Sequence, residues 1–178
     1  MSDDPVRPGV DPGAFRAAVS RWATGVCVVT ARDGTFDAGL TVNALLSVAL
    51  DPPTLLVSLQ HDVDTLPVLR KSGTFGVSVL AADQRTLSER FARPVPSAEK
   101  FRGLAVHRGV TGAALLDGAL AGFECRVVST TPAFDHVLVV GEVVRIEEGR
   151  EAAPLVFFRA AYAEADADGR LRLGHRAP

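Results

Sequence analysis

Between Val26 and Leu59 the chain carries three strand-length apolar runs and leaves no room for a helix between them. Val26–Thr30 leads into Asp33-Gly34, a strong signal for a tight hairpin, and Leu40–Leu50 then reads as the second strand. Asp51-Pro52-Pro53 ends that run, because proline donates nothing to a ladder, and Thr54–Leu59 begins at once. Parallel neighbours need a crossover of about a dozen residues or more, usually a helix. The early strands are therefore expected to be antiparallel. Thr54–Leu59 is short and apolar enough to be buried on both faces.

The remaining segments extend this pattern. Asp11-Pro12 predicts a helix start, with Phe15, Val19 and Trp22 on one apolar face and Gly25 as its stop. Thr65–Lys71 predicts a short helix closed by Gly73, and Phe75–Leu80 a fourth strand. Asp83–Ala92 reads as a helix, with Leu87 and Phe91 four apart, broken by Pro94 and Pro96. Arg93 to Asp117 is expected to be a long loop with one weak element, a length often associated with function. Phe123–Thr131 alternates, with Phe123, Cys125 and Val127 set against Glu124 and Arg126. Val137–Glu147 is a long strand with a bend at Gly141, and Pro154–Phe158 with Tyr162 forms the last short element. Residues 1–10 and the polar tail after Ala165 are expected to be flexible. Six or seven strands with few short helices predict a mainly β, antiparallel, closed or nearly closed barrel over residues 11–165.

At 178 residues the chain suits one domain with a real core. A net charge of −2, with both signs mixed along the chain and no basic stripe, argues against nucleic acid as the main partner. Cys27 and Cys125 sit in apolar runs and read as buried thiols of a reducing compartment. No apolar run has membrane-spanning length and the first residues lack a secretion-type stretch, so a cytoplasmic protein is expected. His61, His107, His136 and His175 have no zinc-ligand spacing, and no metal site is expected. Gly-rich phosphate loops and a Gly-x-Ser-x-Gly elbow are absent from the sequence.

Thr41, Asn43 and Ser47 place three polar side chains at odd steps within the apolar Leu40–Leu50 run. On a single strand they would share one face. Each would cost about 1–3 kcal/mol if buried unpaired, so the protein or a polar ligand must bond them.

The ordered set Trp22-Ala-Thr-Gly-Val26, Gly39-Leu-Thr-Val-Asn43, Ser47-Val-Ala-Leu-Asp-Pro-Pro53 and Phe75-Gly-Val-Ser-Val-Leu80 resembles the flavin reductase-like family. Phe91-Ala92, Lys100-Phe101, Phe123-Glu-Cys125, Phe134-Asp-His136, Gly141-Glu-Val143 and Pro154-Leu155 continue it, from about Phe15 to Tyr162. The resemblance implies a six-stranded Greek-key split barrel working as a homodimer, with flavin near the subunit interface. It further implies an enzyme that uses NADH or NADPH to reduce free FAD or FMN and releases the product to a separate oxygenase. By the same resemblance Thr41, Asn43, Ala44 and Ser47 lie along the flavin ring and ribityl chain. Ser58 and Thr65 fall at the ribityl-phosphate region, and Lys100 and Phe101 at the phosphate. Phe134, Asp135, His136 and Tyr162 are implied at the nicotinamide.

Two departures from the family pattern bear on binding. Where the family commonly has Ser-x-Thr this chain has Val63-Asp64-Thr65, losing a hydroxyl and adding a carboxylate near the expected phosphate. Where the family has Gly-Asp-His it has Phe134-Asp135-His136, adding an aromatic face suited to stacking on a nicotinamide or adenine ring. The thin phosphate contacts predict an exchanging flavin, with FAD favoured over FMN, and NADH is favoured over NADPH. Hydride transfer needs no protein acid, base or nucleophile, so no catalytic side chain is expected. The alternatives are a tightly FMN-bound oxidase of the pyridoxamine-phosphate type and a non-catalytic flavin- or haem-binding barrel.

Overall fold

The computed structural model describes residues 9–165 and 171–173. Residues 1–8, 166–170 and 174–178, where flexible termini were expected, lie outside the described residues, as does His175. Helix α1 (Pro12–Val19) starts as expected, with Asp11 Oδ2 accepting the Ala14 N–H at 2.7 Å. It ends at Val19 with Ser20 as its C-cap, well short of Gly25, which lies in the two-residue strand β1 (Thr24–Gly25). None of its residues is buried, and Phe15, Val19 and Trp22 are exposed, so the apolar face finds no partner within the described chain.

Strands β2 (Cys27–Asp33) and β3 (Phe36–Val42) form the expected hairpin, with Gly34 at φ 57°. The second expected strand is in fact two. β3 stops at Val42, and β4 (Leu45–Leu50) begins after Asn43-Ala44. Then come β5 (Pro53–Gln60), helix α2 (Thr65–Ser72) and β6 (Thr74–Val79), with Gly73 closing α2 at φ 67°. A 3-10 turn at Ala82–Gln84 leads into α3 (Arg85–Ala92). The expected loop to Asp117 contains helix α4 (Ser97–Phe101) and the paired strands β7 (Val106–Arg108) and β8 (Ala114–Leu116). Two long strands, β9 (Ala121–Ala133) and β10 (His136–Glu148), follow, with a register shift at Val140/Gly141 where the bend was expected. The chain closes with β11 (Val156–Phe158), β12 (Ala161–Ala165) and β13 (Leu171–Leu173).

The principal sheet is antiparallel, in the order β3-β2-β6-β9-β10-β5-β4. Its first and last strands, β3 and β4, are consecutive in the chain with only Asn43-Ala44 between them. Two residues cannot cross an open sheet of this width, so the sheet must curl until its ends meet. The Ser58 N–H donates to Ala44 O at 3.2 Å at that closure. β1, β11, β12 and β13 form a second sheet.

Cys27, Val29, Val57, Phe75, Val77, Cys125 and Val139 fill the barrel, with Leu66 and Leu69 of α2 packed into the same cluster. A second cluster, Val26, Val28, Leu80, Phe91, Leu116 and Leu155, lies outside the barrel wall. The strand buried on both faces is therefore β2, sandwiched between these clusters. β5 instead alternates, with Leu55, Val57 and Leu59 buried. Burial pushes both thiols, Cys27 and Cys125, up to about 12, the Glu124 charge adding to the effect at Cys125.

Glu124 departs most from the alternation expected for β9. It is fully buried, as is its neighbour Cys125, because the loop before β8 folds over its outward face. Its carboxylate accepts the Val110 N–H at 2.9 Å, the Thr111 N–H at 2.8 Å and the Thr111 hydroxyl at 2.6 Å. Arg145 Nε lies 3.6 Å away.

His107 is held between Asp117, at 2.6 Å from Nδ1, and Glu147, at 2.8 Å from Nε2 without good hydrogen-bond geometry. The Asp117 hydrogen bond raises its pKa above the usual imidazole value; partial burial opposes this and Glu147 reinforces it. A raised native pKa means the stabilisation is complete below an unfolded pKa of about 6.5 and is lost as pH rises through the native value. Melting temperatures of wild type and His107→Gln are therefore expected to converge as pH rises above about 6.5. A gap independent of pH would refute the charged clamp.

Candidate functional site

The site is built where α3 and α4 lie against β3. Thr41 on β3 donates its hydroxyl to the Ser88 carbonyl of α3 at 2.6 Å. Ser88 Oγ in turn shares a hydrogen bond of 2.7 Å with the Tyr162 hydroxyl. The Thr41 hydroxyl is thus satisfied by the protein, and Tyr162 is joined to it through Ser88. Tyr162 also packs edge-on against Phe157 at 5.6 Å, with the Arg85 guanidinium 5.2 Å from its ring centroid.

Gly39, two residues before Thr41, has both backbone groups held by α4. Its N–H donates to Ser97 Oγ at 3.1 Å, and its carbonyl accepts from Lys100 Nζ at 3.1 Å. A Cβ here would lie 2.9 Å from Phe91 Cε1 and 3.2 Å from Phe101 Cζ, so only glycine lets the two rings close over the strand. Those rings meet edge to face at 5.1 Å. Lys100 is only 6% exposed, and burial lowers its pKa while the nearby Asp64 charge opposes the fall. An anion beside this ammonium favours its charged form.

Beside these groups lies a hollow of about 530 Å³ lined by Leu40, Thr41, Gln60, Asp64, Phe91 and Lys100, among others. Arg93 also lines it and, with Lys100, faces a neighbouring hollow that holds Arg90 and Arg102. This cationic flank was not legible in the sequence, where Arg90 falls in an expected helix and Arg93, Lys100 and Arg102 in an expected loop. Asp62, Val63 and Asp64 separate the first hollow from another of about 680 Å³ that contains His61 and Arg70. Lys71, in the last turn of α2, pairs with Asp33 at 2.5 Å.

The other expected residues divide into groups. Thr65 is fully buried as the first residue of α2, its hydroxyl 3.5 Å from Asp64 Oδ1. Phe101 supports the hollow from behind, through Phe91. Asn43, Ala44 and Ser58 meet at the barrel closure and do not line the hollow. Ser47 is exposed on β4 beside a register shift, away from the hollow. The expectation that Thr41, Asn43 and Ser47 share one strand face therefore fails, because the chain breaks between β3 and β4.

Phe134, Asp135 and His136 form the tip of the β9–β10 hairpin. Register places His136 opposite Gln60, which lines the hollow, so the tip stands at its rim. His136 Nδ1 is 2.9 Å from Asp135 Oδ1, a contact that holds the exposed Asp135 carboxyl below its usual pKa. His61, scattered in the sequence, reaches the same tip: its Nδ1 and its backbone N–H both contact Asp135 O, at 3.0 and 3.1 Å.

Phe134 has φ 57°, in the left-handed region, and its side chain is fully exposed. Placing a Cβ there costs about 1–2 kcal/mol, and no packing offsets it. Phe134→Gly is therefore expected to stabilise the fold by about 1 kcal/mol, seen as a melting temperature higher by a few degrees. An unchanged or lower value would show that the ring contributes to the fold.

The antiparallel barrel is the architecture expected from the resemblance, and beside its closure lie the mixed polar and aromatic hollow and, at the rim, the Phe134–His136 hairpin. Residues 19–166 match the flavin reductase like domain, and the chain belongs to this family. It is 40% identical over 154 residues to the actinorhodin polyketide dimerase of Streptomyces coelicolor, covering 86% of each chain. To the reductase component of 4-hydroxyphenylacetate 3-monooxygenase from Thermus thermophilus it is 39% identical, covering 84% of this chain and 93% of the relative. Among solved structures it is similar to the NADH:FAD oxidoreductase of Streptomyces globisporus in complex with NAD and FAD fragments. That match has a TM-score of 0.82 and 29% identity, covering 92% of this chain and all of the other.

Proposed function

We propose that the protein is a NAD(P)H:flavin oxidoreductase that reduces free FAD or FMN by hydride transfer and supplies the reduced flavin to a partner monooxygenase. The observation that carries this reading is the side-by-side placement of the Thr41–Lys100 hollow and the Phe134–His136 tip, joined through the Gln60–His136 pair. One surface suits a flavin and the other a nicotinamide, so two rings can meet face to face. The kinship with a monooxygenase reductase component and an NADH:FAD oxidoreductase supports the same assignment.

In this reading the flavin supplies the redox chemistry. Lys100 and Arg93 offer positive charge toward a flavin phosphate, and Thr41 is held on Ser88 at the edge of the ring. Asn43, Ala44 and Ser58 flank it from the barrel closure, while Thr65 and Phe101 support the phosphate end. His61 and His136, both held on Asp135, leave Nε2 free to contact a carboxamide, and Phe134 presents its ring for stacking. Tyr162 acts through Ser88. The side chains position and exclude water, and none is assigned as acid, base or nucleophile.

The domain spans 11–165 and works as a homodimer. Its support is the unpartnered apolar surface: Phe15 on α1 and Trp22 just after it, and Leu46, Val48 and Leu50 on the edge strand β4. A cytoplasmic location is consistent with two free buried thiols, and no helix among the described residues is long and apolar enough to cross a membrane. Side-by-side rates with FAD and FMN and with NADH and NADPH test the assignment. FAD with NADH is expected to be the fastest pair. In the same assay Phe134→Gly is expected to raise KM for NADH while leaving flavin affinity unchanged.

A further inference from the structure

Asp64 stands at the N-cap position of α2, yet its side chain makes no capping bond to that helix. Its Oδ2 instead accepts the Ser97 N–H of α4 at 3.0 Å, and its Oδ1 sits 3.5 Å from the Thr65 hydroxyl. Its charge also acts on Lys100, whose ammonium is buried and bonded to Gly39 O. Three kinds of group suited to an anion converge here: a backbone amide, a hydroxyl and a buried cation. The amide and the hydroxyl already face a carboxylate of the protein itself, the ammonium feels its charge while bonded to Gly39 O, and that carboxylate lines both hollows of the site.

We propose that Asp64 is a specificity-determining residue: a built-in anion that occupies the place of a ligand's phosphate and so keeps a flavin mononucleotide from binding through its phosphate. The inference rests on the flavin reading above and deepens it. A phosphate monoester carries close to two negative charges at neutral pH, and it must displace Asp64 or lie beside it. Displacement leaves the carboxylate without its amide, and co-occupancy sets like charges a few ångströms apart in a partly buried site. Either way the phosphate adds little to affinity, and the flavin is held by its ring and ribityl chain. Exchange between protein and solvent follows from weak anchoring at this end.

The test uses full-length protein with riboflavin and FMN, dissociation constants being read from flavin fluorescence. Wild type is expected to bind the two within about threefold of each other. Asp64→Asn keeps an acceptor for the Ser97 N–H while removing the charge. It is expected to tighten FMN at least tenfold and leave riboflavin within about twofold, the FMN gain shrinking as salt rises. Asp64→Ser is expected to act in the same direction, and it carries the comparison should the asparagine variant misfold. Equal changes for both flavins, or no tightening of FMN in either folded variant, overturn the inference while leaving the reductase reading intact. A wild type that binds neither flavin overturns that reading and this inference with it.

Discussion

Glu124→Ala is expected to destabilise the protein by about 3–5 kcal/mol, the range seen when one side of a buried charged network is removed. The carboxylate is fully buried and accepts three hydrogen bonds from Val110 and Thr111. Truncation strands two amides and a hydroxyl and leaves Arg145 without its partner. Glu124→Gln should cost less but remain destabilising, since the amide NH₂ would face donors where the carboxylate offers only acceptors. Burial works to raise the Glu124 pKa, but the bonds from Thr111 and Val110 and the Arg145 charge hold it below the usual glutamate value. The stability it provides is thus present above an unfolded pKa of about 4.3 and is lost only as pH falls through the lower native value. Urea unfolding at pH 7 and at about pH 3 checks both points. A loss under about 1 kcal/mol at pH 7 would show that the 109–112 loop is not fastened by this residue.

Lys100→Met is expected to weaken FMN and FAD binding by at least tenfold, with riboflavin changed much less. Without the ammonium nothing offsets the Asp64 charge, so a flavin phosphate that adds little to affinity in the wild type is repelled in the variant. The substitution keeps most of the side-chain volume against Phe101 but leaves Gly39 O and Asp64 without the ammonium. A melting temperature lower by several degrees should accompany it. The sign is opposite to that expected for Asp64→Asn, so the pair separates charge from general disturbance of the pocket. Equal weakening of riboflavin and FMN would show that Lys100 only holds β3 to α4.

Much of the fold was legible because its signals are local. Asp33-Gly34 specified the first hairpin, Gly73 the end of α2 and Gly141 the bend in β10. The break between β3 and β4 was not legible: Asn43-Ala44 carries no glycine or proline, and the stop is imposed by barrel closure. The strands between Val106 and Leu116 were missed because three-residue strands are fixed by tertiary pairing rather than by pattern. Burial of Glu124 was hidden for a related reason. Alternation points it away from the barrel, and only a loop returning from residues 109–112 covers it.

At the site, residue types in motifs led to Thr41, Lys100 and His136, whereas their partners came from distant segments with weak signals. Ser88, Ser97 and His61 carry no motif, and each matters through one hydrogen bond across the fold. The Val63-Asp64-Thr65 departure was visible as an added carboxylate. Its engagement with the Ser97 amide was not.

In the proposed enzyme flavin and nicotinamide meet at this site, and the flavin comes and goes. The most direct measurement follows NADH absorbance with desalted protein while free FAD or FMN is added in excess. Colourless protein after dialysis is expected, with NADH oxidation that requires added flavin, saturates with it and continues for many turnovers. Protein that stays yellow through dialysis, or that binds free flavin without consuming NADH, would contradict it.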